Sequence, residues 1–170
     1  VLTNEKNRMV TETGPGTLMG DLFRCYWIPF LLSEEVADKD CAPVRVKLLS
    51  ERLLAFRDSD GRLGLIEEFC AHRRVSLWFG RNEDSGIRCP YHGWKYDVSG
   101  RCVEIPSEPP ESRFCDEVSL ASYPCVERGG IVWTYMGPPE KQPTPPAFEW
   151  ATVPEDQRYH SKRLEECNYL

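Results

Sequence analysis

The 170-residue chain carries 21 Lys and Arg against 27 Asp and Glu, a net charge of −6 without a basic run, which argues against a nucleic-acid surface or an anionic membrane as partner. Its length suits one ordinary domain and the start of another, and 41% hydrophobic with 11% aromatic residues is enough for a real core. No apolar run reaches the length of a membrane span and the first residues, VLTNEKNRMV, are polar rather than signal-like, so the expectation is a soluble, cytoplasmic protein with no nucleic acid and no membrane among its partners.

Thr3 caps a predicted short helix over residues 4–12, which Gly14-Pro15-Gly16 stops. Residues 17–29 are rich in apolar and aromatic side chains (Leu18, Met19, Leu22, Phe23, Tyr26, Trp27 and Ile28). A helical turn running into a strand at Trp27 would pack these against the domain. Ser33-Glu34-Glu35 suggests a second short capped turn. From Pro43 the period becomes that of strands: Val44, Val46 and Leu48 alternate with Arg45, Lys47 and Leu49, residues 53–56 follow, Ser59-Asp60-Gly61 turns the chain, and residues 63–66 return. An antiparallel meander thus leads straight to Cys70.

There the sequence reads Cys70-x-His72, then sixteen residues, then Cys89-x2-His92. Each pair joins one thiol to one imidazole. The first loop is predicted over about residues 72–80, the acidic Asn82-Glu83-Asp84 tip is expected to be solvated, and Ile87-Arg88 reads as a strand entering Cys89. If each loop gives one Cys and one His, two thiolates hold one iron and two imidazoles a second, which is the Rieske 2Fe-2S arrangement. Two ferric ions, two sulfides and four thiolates sum to minus two, whereas exchanging two thiolates for neutral imidazoles brings the oxidised cluster to zero and raises its potential. A structural zinc site also uses two Cys and two His, but its usual spacing puts a Cys pair first and a His pair second. Colour separates them, since zinc is colourless and the cluster red-brown.

After Trp94, residues 95–97 and 101–104 flank a Val98-Ser99-Gly100 turn, a hairpin beneath the second loop. Residues 107–117, with Pro109, Pro110 and several charges, read as a surface loop, and two more strands are predicted over 123–127 and 131–135. Residues 137–146 hold five prolines and sustain neither a helix nor a central strand. Residues 159–170 read as a strand. Cys25, Cys41, Cys102, Cys115, Cys125 and Cys167 are expected to be free, mostly buried thiols.

At Cys70-x-His72-Arg73 and at Cys89-Pro90-Tyr91-His92-Gly93-Trp94-Lys95-Tyr96 the chain resembles the Rieske family, and more narrowly the oxygenase components of ring-hydroxylating systems of the phthalate dioxygenase type; residues 14–35, GPGTLMGDLFRCYWIPFLLSEE, resemble their N-terminal segment. The resemblance implies an all-β Rieske domain of antiparallel sheets with a short N-terminal helix and two loops clamping the cluster. Cys70 and Cys89 would be thiolates on the buried iron, and His72 and His92 neutral imidazoles on the outer, reducible one, at an exposed tip. Rieske proteins of respiratory complexes carry a further Cys in each loop, joined as a disulfide; Val75 and Tyr91 stand at those positions, so that bond is impossible here. Those proteins also place a Ser after His-Gly that hydrogen-bonds a cluster sulfide. Trp94 takes its place, which puts the potential toward the lower end of the Rieske range, about −150 mV. Trp94 is expected to shield the cluster, Gly93 to let the backbone turn closely around it, and Tyr96 either to offer its hydroxyl to a cysteine sulfur or to serve as an aromatic strand residue beneath the loops. Arg73 is assigned a structural role and Arg74 is left open.

The implied function is to accept single electrons from a flavin or iron-sulfur reductase and pass them to mononuclear Fe(II) in the catalytic domain of a neighbouring subunit, within a homotrimer when full length. There dioxygen would be activated to hydroxylate or demethylate an aromatic substrate. That iron takes a 2-His-1-carboxylate site, implied as Asp-x2-His-x4-His. The only His left is His160, so no catalytic residue is assigned in this chain and mononuclear iron is not expected to bind it. The organisation expected is a Rieske 2Fe-2S domain with an N-terminal helical segment over 1–137, a Pro-rich connector over 138–146, and the beginning of a truncated catalytic domain over 147–170. The rival is a free-standing Rieske ferredoxin, to which residues 14–35 and 159–170 are surplus.

Overall fold

The structure, a computed structural model, describes residues 2–109 and 111–163. Thr3 caps helix α1 (Asn4–Thr11), its hydroxyl accepting from the Lys6 N–H, and Thr17 caps α2 (Leu18–Arg24) in the same way through Gly20. Strand β1 (Trp27–Leu32) follows. The expected packing of residues 17–29 is only half realised. Arg24 is buried and donates to Thr13 O, Leu49 O and Glu51, while Leu18, Leu22, Phe23 and Tyr26 stay exposed. A helix of seven residues buries one face only, and here that face holds Gly20 and Arg24.

β2 (Val44–Leu48), β3 (Glu51–Arg57) and β4 (Leu63–Glu67) form the expected antiparallel meander. It is the middle layer of the molecule. Successive side chains of a strand point to opposite faces, so Leu53 and Ala55 join one core with Leu31, Val36, Leu65 and Val132, while Leu54 and Phe56 join another with Ile66, Ile87 and Tyr96. Burial on both faces is why residues 53–56 are apolar without alternation. On one side lies the sheet of β1, β9 (Cys125–Arg128) and β10 (Ile131–Tyr135), in the order β1-β10-β9. Pro29 sits on its edge strand at a register shift, where a missing N–H breaks no ladder. On the other side β5 (Arg81–Glu83), β6 (Gly86–Arg88), β7 (Lys95–Tyr96) and β8 (Cys102–Glu104) are hydrogen-bonded in sequence order. The chain is all-β with two short helices.

Several local expectations are corrected. Asn82 and Glu83 are not a solvated tip: they pair with β6, and the Asn82 amide donates to Cys41 O and Arg57 O at 3.0 and 2.8 Å, tying this hairpin to the middle sheet. Ser33 does not cap the turn Ser33–Val36; the Glu35 carboxylate does, accepting the Leu32 N–H at 2.9 Å. Residues 159–163 form no strand, and residues 164–170, including Cys167, lie outside the described residues, as does Pro110. Cys25, Cys41, Cys102, Cys115 and Cys125 are free thiols, but of these only Cys102 is fully buried. Among the described residues no helix is long and apolar enough to cross a membrane. The proline-rich segment lies along the β1-β10-β9 sheet, where Trp27 Nε1 donates to Pro143 O at 2.8 Å and Arg128 Nη1 to Pro145 O and Pro146 O at 3.3 and 3.2 Å.

Candidate metal centre

Cys70 and Cys89 open two loops that close identically. The Cys70 N–H donates to Val75 O at 3.0 Å and the Arg74 N–H to Cys70 O at 2.9 Å; the Cys89 N–H donates to Trp94 O at 2.8 Å and the Gly93 N–H to Cys89 O at 3.1 Å. In both, the residue before the closing one is left-handed, Arg74 at φ 57° and Gly93 at φ 76°. Any Cβ at Gly93 would also stand 3.0 Å from Pro106 Cγ. Arg74 bears backbone strain of about 1 kcal/mol, offset by its ion pair with Glu67 and by its guanidinium lying 5.1 Å from the Phe69 ring. The structural role expected of Arg73 therefore falls to Arg74. Arg73 is exposed and makes no hydrogen bond or ion pair among the described residues.

The loops bring all four candidate ligands together. Cys70 and Cys89 are 1% and 4% exposed, whereas His72 and His92 are exposed with ring centroids 4.6 Å apart. Burial raises the Cys89 thiol above its ordinary value and the nearby Cys70 thiol raises it further, while the backbone N–H groups of Tyr91 and His92 pull it back. Those N–H groups favour a thiolate. Desolvation, then His92 and Arg73, lower the His72 imidazole below its ordinary value, which favours the neutral form that has a lone pair to give. Tyr96 is fully buried; its oxygen accepts the Ala71 N–H at 3.2 Å and lies 3.3 Å from Cys70 Sγ. Burial, and then Cys70, push its phenol well above the usual range, so it keeps its proton and has a hydrogen bond to give to a Cys70 thiolate. Trp94 stacks on His72 at 4.7 Å and is met edge-on by Phe114 at 5.9 Å; the Tyr91 ring lies 3.9 Å from that of His92.

Two ion-pair networks that sequence reasoning missed hold these loops. Glu68, 2% exposed and two residues before Cys70, accepts from Arg45 Nε at 2.9 Å, Arg52 Nε at 3.0 Å and Ser76 Oγ at 2.6 Å. Burial pushes its carboxyl up, but Ser76, Arg45 and Arg52 more than offset this and hold it below the usual carboxylate value. Arg88, next to Cys89, grips Glu104 with both terminal nitrogens at 2.9 and 2.8 Å, Glu83 through Nε at 2.7 Å and the Gly93 carbonyl at 3.0 Å. Hydrogen bonding from Arg88 is the largest of the causes that bring the Glu104 carboxyl down to about 2. The available signal was a charged residue within two positions of each cysteine.

Among the described residues no three or more His, Cys, Asp or Glu side chains are grouped to hold one metal ion. A two-iron cluster asks only two protein ligands of each iron, and two buried thiols under two outward imidazoles, with donors aimed at the sulfurs, fit that demand. His160 stands apart, edge-on to Trp150 at 6.5 Å.

Residues 26–124 match the Rieske 2Fe-2S domain family. The chain is 46% identical over 171 residues to the phthalate 4,5-dioxygenase oxygenase subunit of Pseudomonas putida, covering 99% of this chain and 38% of that protein. It is 42% identical over 165 residues to the tert-butanol monooxygenase / tert-amyl alcohol desaturase oxygenase subunit of Aquincola tertiaricarbonis, covering 96% of this chain and 34% of that one. The crystal structure of dicamba monooxygenase with non-heme iron and dicamba superposes with a TM-score of 0.63 at 28% identity, over 71% of this chain and 36% of that chain. The chain thus spans a little over a third of the length of the relatives it matches.

Proposed function

The chain belongs to the Rieske 2Fe-2S domain family, and from that premise we propose that Cys70, His72, Cys89 and His92 are the four ligands of its cluster. The layering of two buried thiols beneath two exposed imidazoles carries this assignment. When bound, the cluster supplies reversible one-electron storage. Cys70 and Cys89 would hold the cluster as thiolates, the charge of the metal offsetting the cost of burying them. The Tyr91 and His92 N–H groups at Cys89, and the Tyr96 hydroxyl once Cys70 is a thiolate, would favour added negative charge on the sulfurs. His72 and His92, steadied by Trp94 and Tyr91, would be the exposed ligands on the side open to a redox partner.

In this reading the chain is the electron-transfer segment of a non-haem iron oxygenase subunit. It takes single electrons from a flavin or iron-sulfur reductase and passes them to mononuclear iron in the catalytic domain of a neighbouring subunit, in a cytoplasmic homotrimer. Residues 1–137 are the Rieske domain, 138–146 the connector and 147–170 the beginning of the catalytic domain. Support comes from the similarity to two oxygenase subunits over nearly all of this chain and from the likeness to a structure that holds non-heme iron. Aromatic-ring oxidation is the leading chemistry, from the phthalate relative; oxidation of a tertiary alcohol is the second, from the tert-butanol relative.

Electron paramagnetic resonance of the reduced, cluster-loaded chain tests the ligand assignment. The Rieske signal should be present and should vanish in Cys70→Ser and in His92→Ala. A variant that keeps it sinks the assignment.

A further inference from the structure

β8 runs beneath the second loop, and the turn Phe114–Glu117 is laid against it. The Cys102 N–H donates to Val118 O at 3.0 Å, the Val118 N–H donates to Cys115 O at 3.2 Å, and Arg101 pairs with Ser119. This register brings two cysteines to the wall of one recess. Cys102, 6% exposed, belongs to the core that holds Cys70 and Trp94, and Cys115 packs against that core while remaining partly open to solvent. Together with Arg101, Val103 and Asp116 they line a recess of about 410 Å³. Burial, followed by hydrogen bonding with the Cys115 thiol, pushes the Cys102 thiol up to about 12, so Cys102 stays protonated and Cys115, the partner open to solvent, is the one to react first.

We propose that Cys102 and Cys115 form a redox-active dithiol that closes to an intramolecular disulfide by exchange with a low-molecular-weight disulfide. Cys115, the accessible partner, attacks the small disulfide as a thiolate, breaking its S–S bond and releasing one small thiol once protonated. The resulting mixed disulfide sits on Cys115. Cys102 then attacks the Cys115 sulfur, the mixed S–S bond breaks, and the second small thiol leaves with the proton that Cys102 gives up. Two protein thiols are oxidised and one external disulfide is reduced to two thiols. Held in one recess, the second step is intramolecular and outcompetes reversal.

Closing this bond fastens the turn that carries Phe114, whose ring abuts Trp94, which in turn stacks on His72. The thiol state is thereby transmitted to an outer imidazole. The disulfide stands independently of the ligand assignment; only the transmission rests on it.

The test is to equilibrate the cluster-loaded chain anaerobically in oxidised and reduced glutathione buffers of graded potential, alkylate free thiols, digest, and map cross-linked peptides. The 102–115 link should appear along a two-electron Nernst curve and reverse with a dithiol reductant. Cys115→Ser should abolish it, and Cys102→Ser should trap glutathione on Cys115. Free thiols at both positions in the most oxidising buffer, or a stable glutathione adduct on Cys115 in the unsubstituted chain, would overturn the proposal. Visible circular dichroism of the cluster should shift when the link closes, and an unchanged spectrum beside a closed link would overturn the transmission. A missing Rieske signal would remove the ligand assignment and leave the peptide map readable.

Discussion

The His72 imidazole and the Trp94 indole are nearly parallel, 6° between planes and 4.7 Å between centroids, so a residue of the second loop fixes the ring of a residue in the first. Trp94 is 8% exposed. Trp94→Phe gives up roughly 1 kcal/mol of stacking, whereas Trp94→Ala opens a cavity worth roughly 3–5 kcal/mol. Thermal melting and iron content per chain check this together: the Phe variant should keep its iron and the Ala variant should lose it. Equal retention in both would mean that the stack positions nothing.

Tyr96→Phe deletes the hydroxyl 3.3 Å from Cys70 Sγ and leaves the ring in the core. A hydrogen bond that strengthens as the sulfur gains charge is worth about 1 kcal/mol, which at 59 mV per tenfold for one electron is a fall of about 40 mV in midpoint potential. Voltammetry reads it directly. An unshifted potential would reduce the hydroxyl to a partner of Ala71.

Glu104 carries a pH signature. Its carboxyl lies at about 2 in the fold against 4.5 when unperturbed, so the folded value is depressed. The stability it confers is full above about pH 4.5 and drains away as pH falls toward about 2. At 42% exposure solvent screening keeps the effect modest. Over this window the urea midpoint of the parent chain should fall more steeply than that of Glu104→Gln. Parallel curves would show that the Arg88 pair contributes nothing to stability.

Gly93 and Arg74 occupy the same left-handed position in their loops but should respond oppositely. Gly93→Ala adds a Cβ against Pro106 at a φ of 76° and should cost about 1–2 kcal/mol. Arg74→Gly relieves strain of similar size while losing the Glu67 pair, and should come out near neutral. Chemical denaturation of the two variants side by side decides it; a larger loss for Arg74→Gly would make the ion pair the dominant element of that loop.

With His72 and His92 as ligands, oxidation makes their free ring nitrogens more acidic. The oxidised state then sheds a proton in alkaline solution and the midpoint potential falls as pH rises. A potential that stays flat from neutral to strongly alkaline pH would count against histidine ligation.

The four candidate ligands were legible because Cys-x-His and Cys-x2-His are local spacings, and the meander because each strand declares its faces within a few residues. Even the run over 53–56 was readable as a strand, although its burial on two sides emerges only when Leu53 and Leu54 are seen in different cores. The anchors were not legible. Glu68 finds Arg45 23 positions away and Arg88 finds Glu104 16 positions away, and no short-range period encodes such pairings. Asn82 was misread for the same reason, its partners being carbonyls 41 and 25 positions distant. Leu22 and Tyr26 show the converse error, apolar residues taken as core that the fold leaves on the surface.

The first loop continues from β4 in the middle layer, and the second joins β6 to β7 in the outer one. With Cys70, His72, Cys89 and His92 as ligands, iron gripped from both loops would be a weld between two layers, and its bonding free energy would become part of the cooperativity of unfolding. A chain made under iron starvation would then lack that weld, open along the seam between these layers more often, and meet proteases there. Iron supply would thus be written into the lifetime of the polypeptide as well as its redox competence.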